Sequence, residues 1–409
     1  MFLSSPPKIK IVLLSLFCFI VFKQPGNLYS ENLIKLDNLI GKHDAVLLAD
    51  HNDSIIFAKN VDTNLVPAST LKILTSLAAL RYLGADYRFI TEFYIDDDLN
   101  LKIKGYGDPL LLSEIIMEVA EILSGKLEPT GKRINDIVLD DSYFKNNIIC
   151  PGKSISLEPY DAPNGALCAN FNTINFKRTA SEHWVSAESQ TPLLPFAQTR
   201  IRQSNIEEGR IVLSHKEKEI TIYAGQLFQY FLKNEGVVTS GRIRTGMVNS
   251  EKDKLLFKYH SKYSLEQVIA KLLRFSNNFM ANQILLALGA SVSEPPGTLD
   301  KGVDALLAYA CDVLKISDVQ IVEGSGISRD NKISAMDMLK VLEHFEPYHH
   351  LMPRIGNEFY KTGTLKGVAT RAGYIKDKKG ELYRYIVFLN KSEKSISSIM
   401  DIIRQIPKY

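Results

Sequence analysis

The sequence of 409 residues predicts an α+β protein in which one domain is interrupted by a β-rich insert. Helical apolar patterns occupy both ends of the chain, whereas residues 94–255 carry short strands and polar turns. Two early strands and three late strands are each too few for a sheet of usual size, so we expect them to share one antiparallel sheet flanked by helices. The predicted domains are therefore a discontinuous one, residues 31–93 and 256–409, and an insert, residues 94–255.

The N-terminal part of the discontinuous domain contains a hairpin and a long helix. Two apolar runs, Ala45 to Leu48 and Ser54 to Phe57, are separated by a polar turn, which predicts a β-hairpin. An amphipathic helix from Glu31 to Ile40 is expected before it. A second helix starts near Ser69 and ends at Gly84, which can take the positive φ of a helix C-terminus.

The remaining elements follow from apolar periodicity and turn residues. Residues 94–255 show one clear helix, Glu114 to Leu123, and runs such as Leu101 to Lys104 and Ile134 to Leu139 predict strands. The later predicted helices are Leu265–Phe275, Phe279–Leu288, Val303–Leu314, Ala335–His344 and a last one around Ile396–Ile403, and the later predicted strands are Lys361–Leu365, Val368–Ile375 and Tyr383–Asn390.

Composition excludes some classes of function. Hydrophobic residues make up 45% of the chain and charged residues 23%, as is typical of a folded soluble protein. The net charge of +3 is not concentrated in a basic stripe with interleaved aromatic residues, so no nucleic-acid partner is expected.

The N-terminus has the pattern of an export signal. Lys8 and Lys10 precede an apolar run from Ile11 to Phe22, which is short for a membrane span. We predict a signal peptide of residues 1–30 and an exported, periplasmic protein. An uncleaved signal would instead give peripheral association with a membrane, and this alternative stays open.

Three cysteines follow the predicted signal. An exported compartment permits disulfides, and Cys150 and Cys168 are the predicted pair. Cys311 falls on the apolar stripe of a predicted helix and is expected to be a buried thiol. No Cys/His spacing typical of zinc occurs, and no metal or cofactor is predicted.

Ser69 and Lys72 begin the second helix and lie one turn apart on the same face. A buried amine at a helix N-terminus is disfavoured in its protonated form, so it can accept the serine proton, and the same terminus stabilises an oxyanion. This pair suits acyl transfer without a histidine. The same spacing also occurs from Ser5 to Lys8 and from Ser142 to Lys145, so helix capping by Ser69 is the competing interpretation if the pair is taken alone.

Two further motifs favour the catalytic interpretation over helix capping. Ser276-Asn277-Asn278 lies in a break between helices, and Lys361-Thr362-Gly363 occurs once and opens a strand. In this order, the three motifs resemble those of penicillin-recognising serine acyltransferases. Roughly two hundred residues separate the first motif from the second. The chain therefore resembles the D-alanyl-D-alanine carboxypeptidase/endopeptidase family of low-molecular-mass penicillin-binding proteins, the type with a large insert.

The resemblance implies a serine β-lactamase/transpeptidase-like domain and assigns catalytic roles. Ser69 would be the nucleophile and Lys72 its base. Ser276 would relay a proton while contacting Lys72 or Lys361, and Asn278 would bind the substrate amide.

The resemblance also assigns a substrate-binding strand. Lys361 with the hydroxyl groups of Thr362 and Thr364 would bind a terminal carboxylate. Gly363 would let the substrate backbone approach the strand, and the backbone N–H groups of Ser69 and Thr364 would form the oxyanion hole. Two residues depart from the family pattern, since Asn277 and Glu323 stand where Asp is commoner.

The implied function is a serine D-Ala-D-Ala carboxypeptidase, with D,D-endopeptidase activity left open, acting on peptidoglycan peptides through an acyl-enzyme. β-Lactam antibiotics would be inhibitors, and no cofactor is implied. A β-lactamase shares the motifs, but between Ser142 and Ser276 no Glu is followed four residues later by Asn, a pair that often serves deacylation there. A non-catalytic penicillin-binding wall sensor is the third alternative, which only a turnover assay separates from the first.

Overall fold

The computed structural model describes residues 25–181, 183–391 and 395–406. Residues 1–24 of the predicted signal peptide, residues 1–30, lie outside these ranges. Within them, no helix is long and apolar enough to cross a membrane.

Ten helices and sixteen strands can be named within the described ranges. The helices are α1 (Pro25–Leu39), α2 (Lys72–Leu83), α3 (Ser113–Lys126), α4 (Pro195–Ser204), α5 (Glu217–Asn234), α6 (Leu265–Phe275), α7 (Asn278–Ser293), α8 (Leu299–Asp312), α9 (Ala335–Phe345) and α10 (Ile396–Ile403). The strands are β1 (Asp44–Ala49), β2 (Ile55–Lys59), β3 (Ile90–Ile95), β4 (Leu101–Gly105), β5 (Arg133–Ile134), β6 (Ile137–Asp140), β7 (Thr173–Arg178), β8 (Trp184–Ser186), β9 (Gly209–Val212), β10 (Val238–Thr239), β11 (Ile243–Thr245), β12 (Lys254–His260), β13 (Arg354–Ile355), β14 (Glu358–Leu365), β15 (Val368–Lys376) and β16 (Leu382–Asn390).

The early and late strands form one six-stranded sheet in the order β13-β14-β15-β16-β1-β2. Every neighbouring pair is antiparallel, and β1 joins the two parts of the chain by pairing with β16, where Val46 faces Val387. The predicted antiparallel sheet shared by the two ends of the chain is therefore confirmed.

Both faces of this sheet are covered. All six residues of β1 are buried, because its side chains alternate between two hydrophobic cores. Ala45 and Leu47 pack into the core that holds α2 and α6 to α9, whereas Val46 and Leu48 pack into the core that holds α1 and α10. Helix α2 lies inside the first core, and every residue from Lys72 to Leu80 is buried.

Most buried apolar side chains of the insert form a core of their own, whereas a few, such as Phe144 and Ala166, belong to the core that holds α2. The main sheet of the insert has the order β11-β6-β4-β3-β12, and α3 and α5 pack on it through residues such as Ile115 and Leu227. The strands at which the chain enters and leaves are antiparallel neighbours, with Ile90 opposite His260. We propose these two positions as the boundaries of the insert, in place of 94 and 255.

The structure differs from the sequence-based prediction mainly inside the insert. Helices α4 and α5 are not predicted, although α5 has 18 residues. The predicted strand from Ile134 to Leu139 is divided into β5 and β6, which pair with different neighbours, β10 and β4.

The predictions for the cysteines are wrong. Cys150 and Cys168 are both buried but are not joined by a disulfide. The sulfur of Cys168 lies 3.0 Å from Nδ2 of Asn172 and 3.3 Å from the carbonyl oxygen of Gly165, whereas that of Cys150 lies 3.8 Å from Oδ1 of Asn164. Cys311 is exposed, because α8 buries the neighbouring face, which carries Gly302, Ala305, Leu306, Tyr309 and Ala310.

Candidate active site

Ser69 lies in a short 3₁₀ turn, Ala68–Leu71, that leads directly into α2. Ala68 has a φ of 47°, a left-handed conformation that is costly for a residue with a Cβ and that recurs at functional sites. The carbonyl of Pro67 holds the turn in place, since it accepts hydrogen bonds from the hydroxyl groups of Thr70 and Thr370, both at 2.7 Å. The turn therefore presents Ser69, half-buried, at a fixed place beside β15.

Lys72 is fully buried beneath Ser69. Its Nζ donates hydrogen bonds to Oγ of Ser69 at 2.7 Å, Oδ1 of Asn278 at 2.8 Å and the carbonyl of Ser325 at 2.6 Å. These three bonds use all the donors of an ammonium group. The predicted contact between serine and lysine is therefore present, and the second motif reaches the same amine.

Burial, and then the charge of Lys361, lower the pKa of Lys72 well below its usual value. The charge of Lys153 acts in the same direction, and the carboxylate of Glu323 acts against it. The neutral amine, which can accept a proton from Ser69, is thus favoured more than in an exposed lysine.

The second motif lies where α6 ends and α7 begins. Ser276 ends α6 in a left-handed conformation with a φ of 53°, and the side chain of Asn277 caps α7 by accepting a hydrogen bond from the N–H of Met280 at 3.0 Å. Asn277 thus provides the cap acceptor that an Asp would provide. Asn277 therefore caps the helix, whereas the side chains of Ser276 and Asn278 contact Lys361 and Lys72, respectively.

Lys361 lies on β14 and is almost fully buried. Its Nζ donates hydrogen bonds to Oγ of Ser276 at 2.7 Å and to the carbonyl of Thr362 at 2.8 Å. Burial lowers its pKa to about 8. On one side, β14 pairs with β13 at Glu358 and Phe359, and the N–H of Tyr360 donates a hydrogen bond to the carbonyl of Pro353. Within the described ranges, no strand pairs with residues 361–365 on that side, so this part of β14 is a free edge.

Gly363 was expected to let the substrate backbone approach the strand, but in the structure the space beside it is filled by Ser69 and Thr370. A Cβ at this position would lie 2.6 Å from the backbone nitrogen of Ser69 and 2.4 Å from Oγ1 of Thr370. The glycine therefore lets β14 pack directly against the turn that carries the nucleophile. Thr362 and Thr364 are exposed on the other face of β14.

A cavity of about 550 Å³ opens above these residues. Its lining includes Ser69 of the first motif, Ser276 and Asn278 of the second, and Thr364, the residue after the third. Two loops complete it, with residues such as Tyr160 and Arg329. The structure thus brings the predicted catalytic residues together, with Lys72 and Lys361 buried behind the serines.

Glu323 was not assigned a role from the sequence, although it organises the loop of residues 324–331. It is completely buried, and its two oxygens accept hydrogen bonds from six groups, the N–H groups of Ser325, Gly326 and Ser328, the hydroxyl of Ser325 and the side-chain amides of Asn282 and Asn331. The loop is held against the nucleophile, and its Ser325 carbonyl accepts the hydrogen bond from Lys72. The sequence feature that could have indicated this role is an acidic residue directly before a run of Gly and Ser.

The chain is similar in sequence to the members of one enzyme family. The sequence model of the D-Ala-D-Ala carboxypeptidase 3 (S13) family matches residues 30–353. The chain belongs to this S13 family. It is accordingly a serine-type D-Ala-D-Ala carboxypeptidase. The matched region includes Ser69, Lys72 and the second motif and ends before Lys361.

Two curated relatives illustrate the similarity. The D-alanyl-D-alanine carboxypeptidase DacB of Haemophilus influenzae is 23% identical over 406 residues, covering 83% of each chain. The D-alanyl-D-alanine carboxypeptidase of Actinomadura sp. strain R39 is 23% identical over 425 residues, covering 85% of this chain and 78% of its own.

Solved structures share the fold. Penicillin-binding protein 4 of Haemophilus influenzae matches with a TM-score of 0.73 and 22% identity, covering 92% of this chain and all of its own. A predatory endopeptidase from Bdellovibrio bacteriovorus, in complex with an immunity protein, matches with a TM-score of 0.51 and 16% identity, covering 89% of this chain and 90% of its own. The predicted fold class is confirmed, and the S13 assignment does not favour the β-lactamase or the wall sensor.

Proposed function

We propose that Ser69 is the acylated nucleophile of this S13 carboxypeptidase and that its substrate is a peptidoglycan stem peptide ending in D-Ala-D-Ala. The observation that carries the proposal is the 2.7 Å hydrogen bond between Ser69 and a buried amine whose pKa is lowered. A neutral amine at this distance takes the hydroxyl proton as the serine oxygen attacks the carbonyl carbon.

The acylation step uses the surrounding groups in sequence. The developing oxyanion is stabilised by the backbone N–H groups of Ser69 and Thr364. As the C–N bond breaks, the proton that Lys72 took from Ser69 passes through the hydroxyl of Ser276, which the ammonium of Lys361 contacts at 2.7 Å, to the amine of the departing D-Ala. Water then attacks the acyl-enzyme and gives a proton to the neutral Lys72. Lys72 returns this proton to Oγ of Ser69 as the ester bond breaks, and the shortened peptide is released as an acid.

Substrate recognition is assigned to β14 and the start of α7. The exposed hydroxyl groups of Thr362 and Thr364 bind the terminal carboxylate, and the positive charge of Lys361 attracts it. The side chain of Asn278 binds the peptide amide of the substrate. Gly363 serves by bringing this strand to the nucleophile.

This substrate requires an exported enzyme. The charged start and short apolar run of residues 1–30 support a signal peptide and a periplasmic location, with peripheral membrane association if the signal is kept. β-Lactams would acylate Ser69 and inhibit the enzyme, and penicillin-binding protein 4 of Haemophilus influenzae, which has a similar fold, has been solved in complex with a β-lactam.

A D,D-endopeptidase activity on cross-links is the second candidate. It is favoured by the free edge of β14 beside the cavity, along which an extended chain can lie, and the Bdellovibrio protein of similar fold is an endopeptidase. Mass spectrometry of wall fragments separates the two activities, since loss of one alanine and splitting of a dimer give different masses.

The deciding experiment combines turnover and labelling. The protein should release D-Ala from a D-Ala-D-Ala peptide and be labelled covalently by a fluorescent penicillin, and Ser69→Ala should abolish both. Persistent labelling of Ser69→Ala would refute the assignment of the nucleophile. Labelling without turnover by the wild type would favour the wall sensor.

A further inference from the structure

The insert supplies one wall of the catalytic cavity. We call residues 150–165 the wall loop, and its Gly152, Ser154, Tyr160 and Asp161 line the cavity with Ser69. Gly152 has a φ of 86°, and a Cβ there would lie 2.6 Å from Cα of Ser328. The wall loop is therefore packed directly against the loop whose Ser325 carbonyl binds Lys72.

Lys153 turns its side chain into the wall loop. Its Nζ donates hydrogen bonds to the carbonyl of Ala162 at 2.6 Å and to Oδ1 of Asn164 at 2.9 Å. Both acceptors are neutral oxygens, so neither cancels the charge of the ammonium group. Lys153 thus joins the two ends of the wall loop and leaves a positive charge behind the cavity.

Asn164 connects this lysine to the second motif. It is buried, and its Nδ2 donates hydrogen bonds to the carbonyl of Phe279 and to Oε1 of Gln283, both at 2.9 Å. Phe279 follows Asn278, whose Oδ1 accepts the hydrogen bond from Lys72. Three hydrogen bonds and the peptide bond between Asn278 and Phe279 therefore link Lys153 to the amine of Lys72.

We propose that Lys153 is a positioning residue for acylation, which closes the wall loop onto α7 and holds a positive charge behind the cavity that contains Ser69. The inference rests on the proposed function, in which Lys72 is the base. It adds a residue of the insert to a site otherwise built from the discontinuous domain.

Several charged groups act on the protonation of Lys72, and Lys153 is one of them. Lys361 and Lys153 both favour the neutral amine, and Glu323 opposes them. Of the groups near Lys153, the thiol of Cys150 has its pKa raised by burial and so carries no charge at neutral pH. The carboxylate of Asp161 accepts hydrogen bonds from Ser154 and Ser156 within the wall loop.

The test is the pH dependence of penicillin acylation in Lys153→Gln and Lys153→Arg. Gln keeps a donor and loses the charge, whereas Arg keeps both. The acidic limb reports the base, so its midpoint in Lys153→Gln should move up by about half a pH unit, making acylation about threefold slower below the midpoint. Lys153→Arg should keep the wild-type midpoint. Lys145→Gln, which removes an exposed charge from a nearby segment, should also keep it.

An unchanged midpoint in Lys153→Gln would overturn the inference, whatever the loss of maximal rate, because a purely structural residue changes the rate without moving the midpoint. Equal shifts in Lys153→Gln and Lys153→Arg would also overturn it. Lys153→Met provides a second neutral variant if the Gln variant does not fold, with the same shift expected. Wild-type labelling and its loss in Ser69→Ala test the proposed function separately.

Discussion

The Nζ of Lys361 donates a hydrogen bond to Oγ of Ser276 over 2.7 Å and thereby joins strand β14 to the break between α6 and α7. One ammonium group thus contacts the proposed proton relay and lies on the strand proposed to bind the substrate carboxylate. The first two predictions separate these two roles.

Lys361→Ala should lower kcat/KM on a D-Ala-D-Ala peptide, because a charge-assisted contact with the terminal carboxylate is lost. The loss should correspond to about 2 to 3 kcal/mol of transition-state stabilisation. Wild-type enzyme should act poorly on the same peptide amidated at its C-terminus. Steady-state kinetics of both enzymes on both peptides check this. Equal losses on the two peptides would show that Lys361 serves proton transfer or the structure of the site instead.

Activity on the free-acid peptide should fall as the pH rises through about 8, the lowered pKa of Lys361. The lysine is charged below that pH and neutral above it, so attraction of the carboxylate is lost on the alkaline side. The expected signature is a rise in KM. Lys361→Arg should move this limb to much higher pH, since a guanidinium stays protonated. A limb that stays near pH 8 in the Arg variant would assign it to another group.

Glu323→Gln should destabilise the protein by about 3 to 5 kcal/mol, because a buried carboxylate that accepts six hydrogen bonds would be replaced by an amide with two donors of its own. Denaturant unfolding measures the change. The exposed Glu251→Gln is the matched control and should change stability by less than about 0.5 kcal/mol. Similar stabilities of the two variants would refute the role given to Glu323.

Gly326→Ala should slow acylation of Ser69 by penicillin, because the added Cβ would lie 1.9 Å from the carbonyl oxygen of Ala68 and Gly326 has a φ of 80°. The turn that presents the nucleophile has to move. Gly125→Ala in α3, where nothing lies within 4 Å, should leave acylation unchanged and stabilise the helix by about 0.5 to 1 kcal/mol. Stopped-flow labelling compares the variants, and equal rates would contradict this account of Gly326.

Native protein should be alkylated at Cys311 and protected at Cys150 and Cys168, because Cys311 is exposed and the other two cysteines in the described part of the chain are buried. Burial raises the pKa of Cys150, which further slows its reaction. Denaturation without reductant should expose both protected cysteines as thiols. Peptide mapping by mass spectrometry tests this, and a disulfide between Cys150 and Cys168 would contradict the structure.

The sequence predicted the parts of the fold that local patterns determine. The stripe of α6, the break at Ser276 and the strand at Lys361 are each encoded within a few residues, and their positions agree with the structure. Helix α5 was missed because Thr221, Ile222 and nearby aromatic residues favour strands, and it is packing on the sheet of the insert that makes them helical.

Contacts distant in sequence account for the rest of the site. Glu323 and Asn282 are 41 residues apart, and Asn164 and Phe279 are 115 apart. No local spacing relates such partners. Gly363 was singled out as part of a motif, but only the packed structure shows that Ser69 and Thr370 fill the space beside it.

The chain enters and leaves the proposed insert at neighbouring positions, since Ile90 lies opposite His260 on antiparallel strands. Tyr160 and Asp161 belong to the insert and line the cavity, whereas Ser69, Lys72 and Lys361 lie outside it. We propose that substitutions at Tyr160 and Asp161 can therefore change which cell-wall fragments enter the cavity while the nucleophile and both motif lysines are kept.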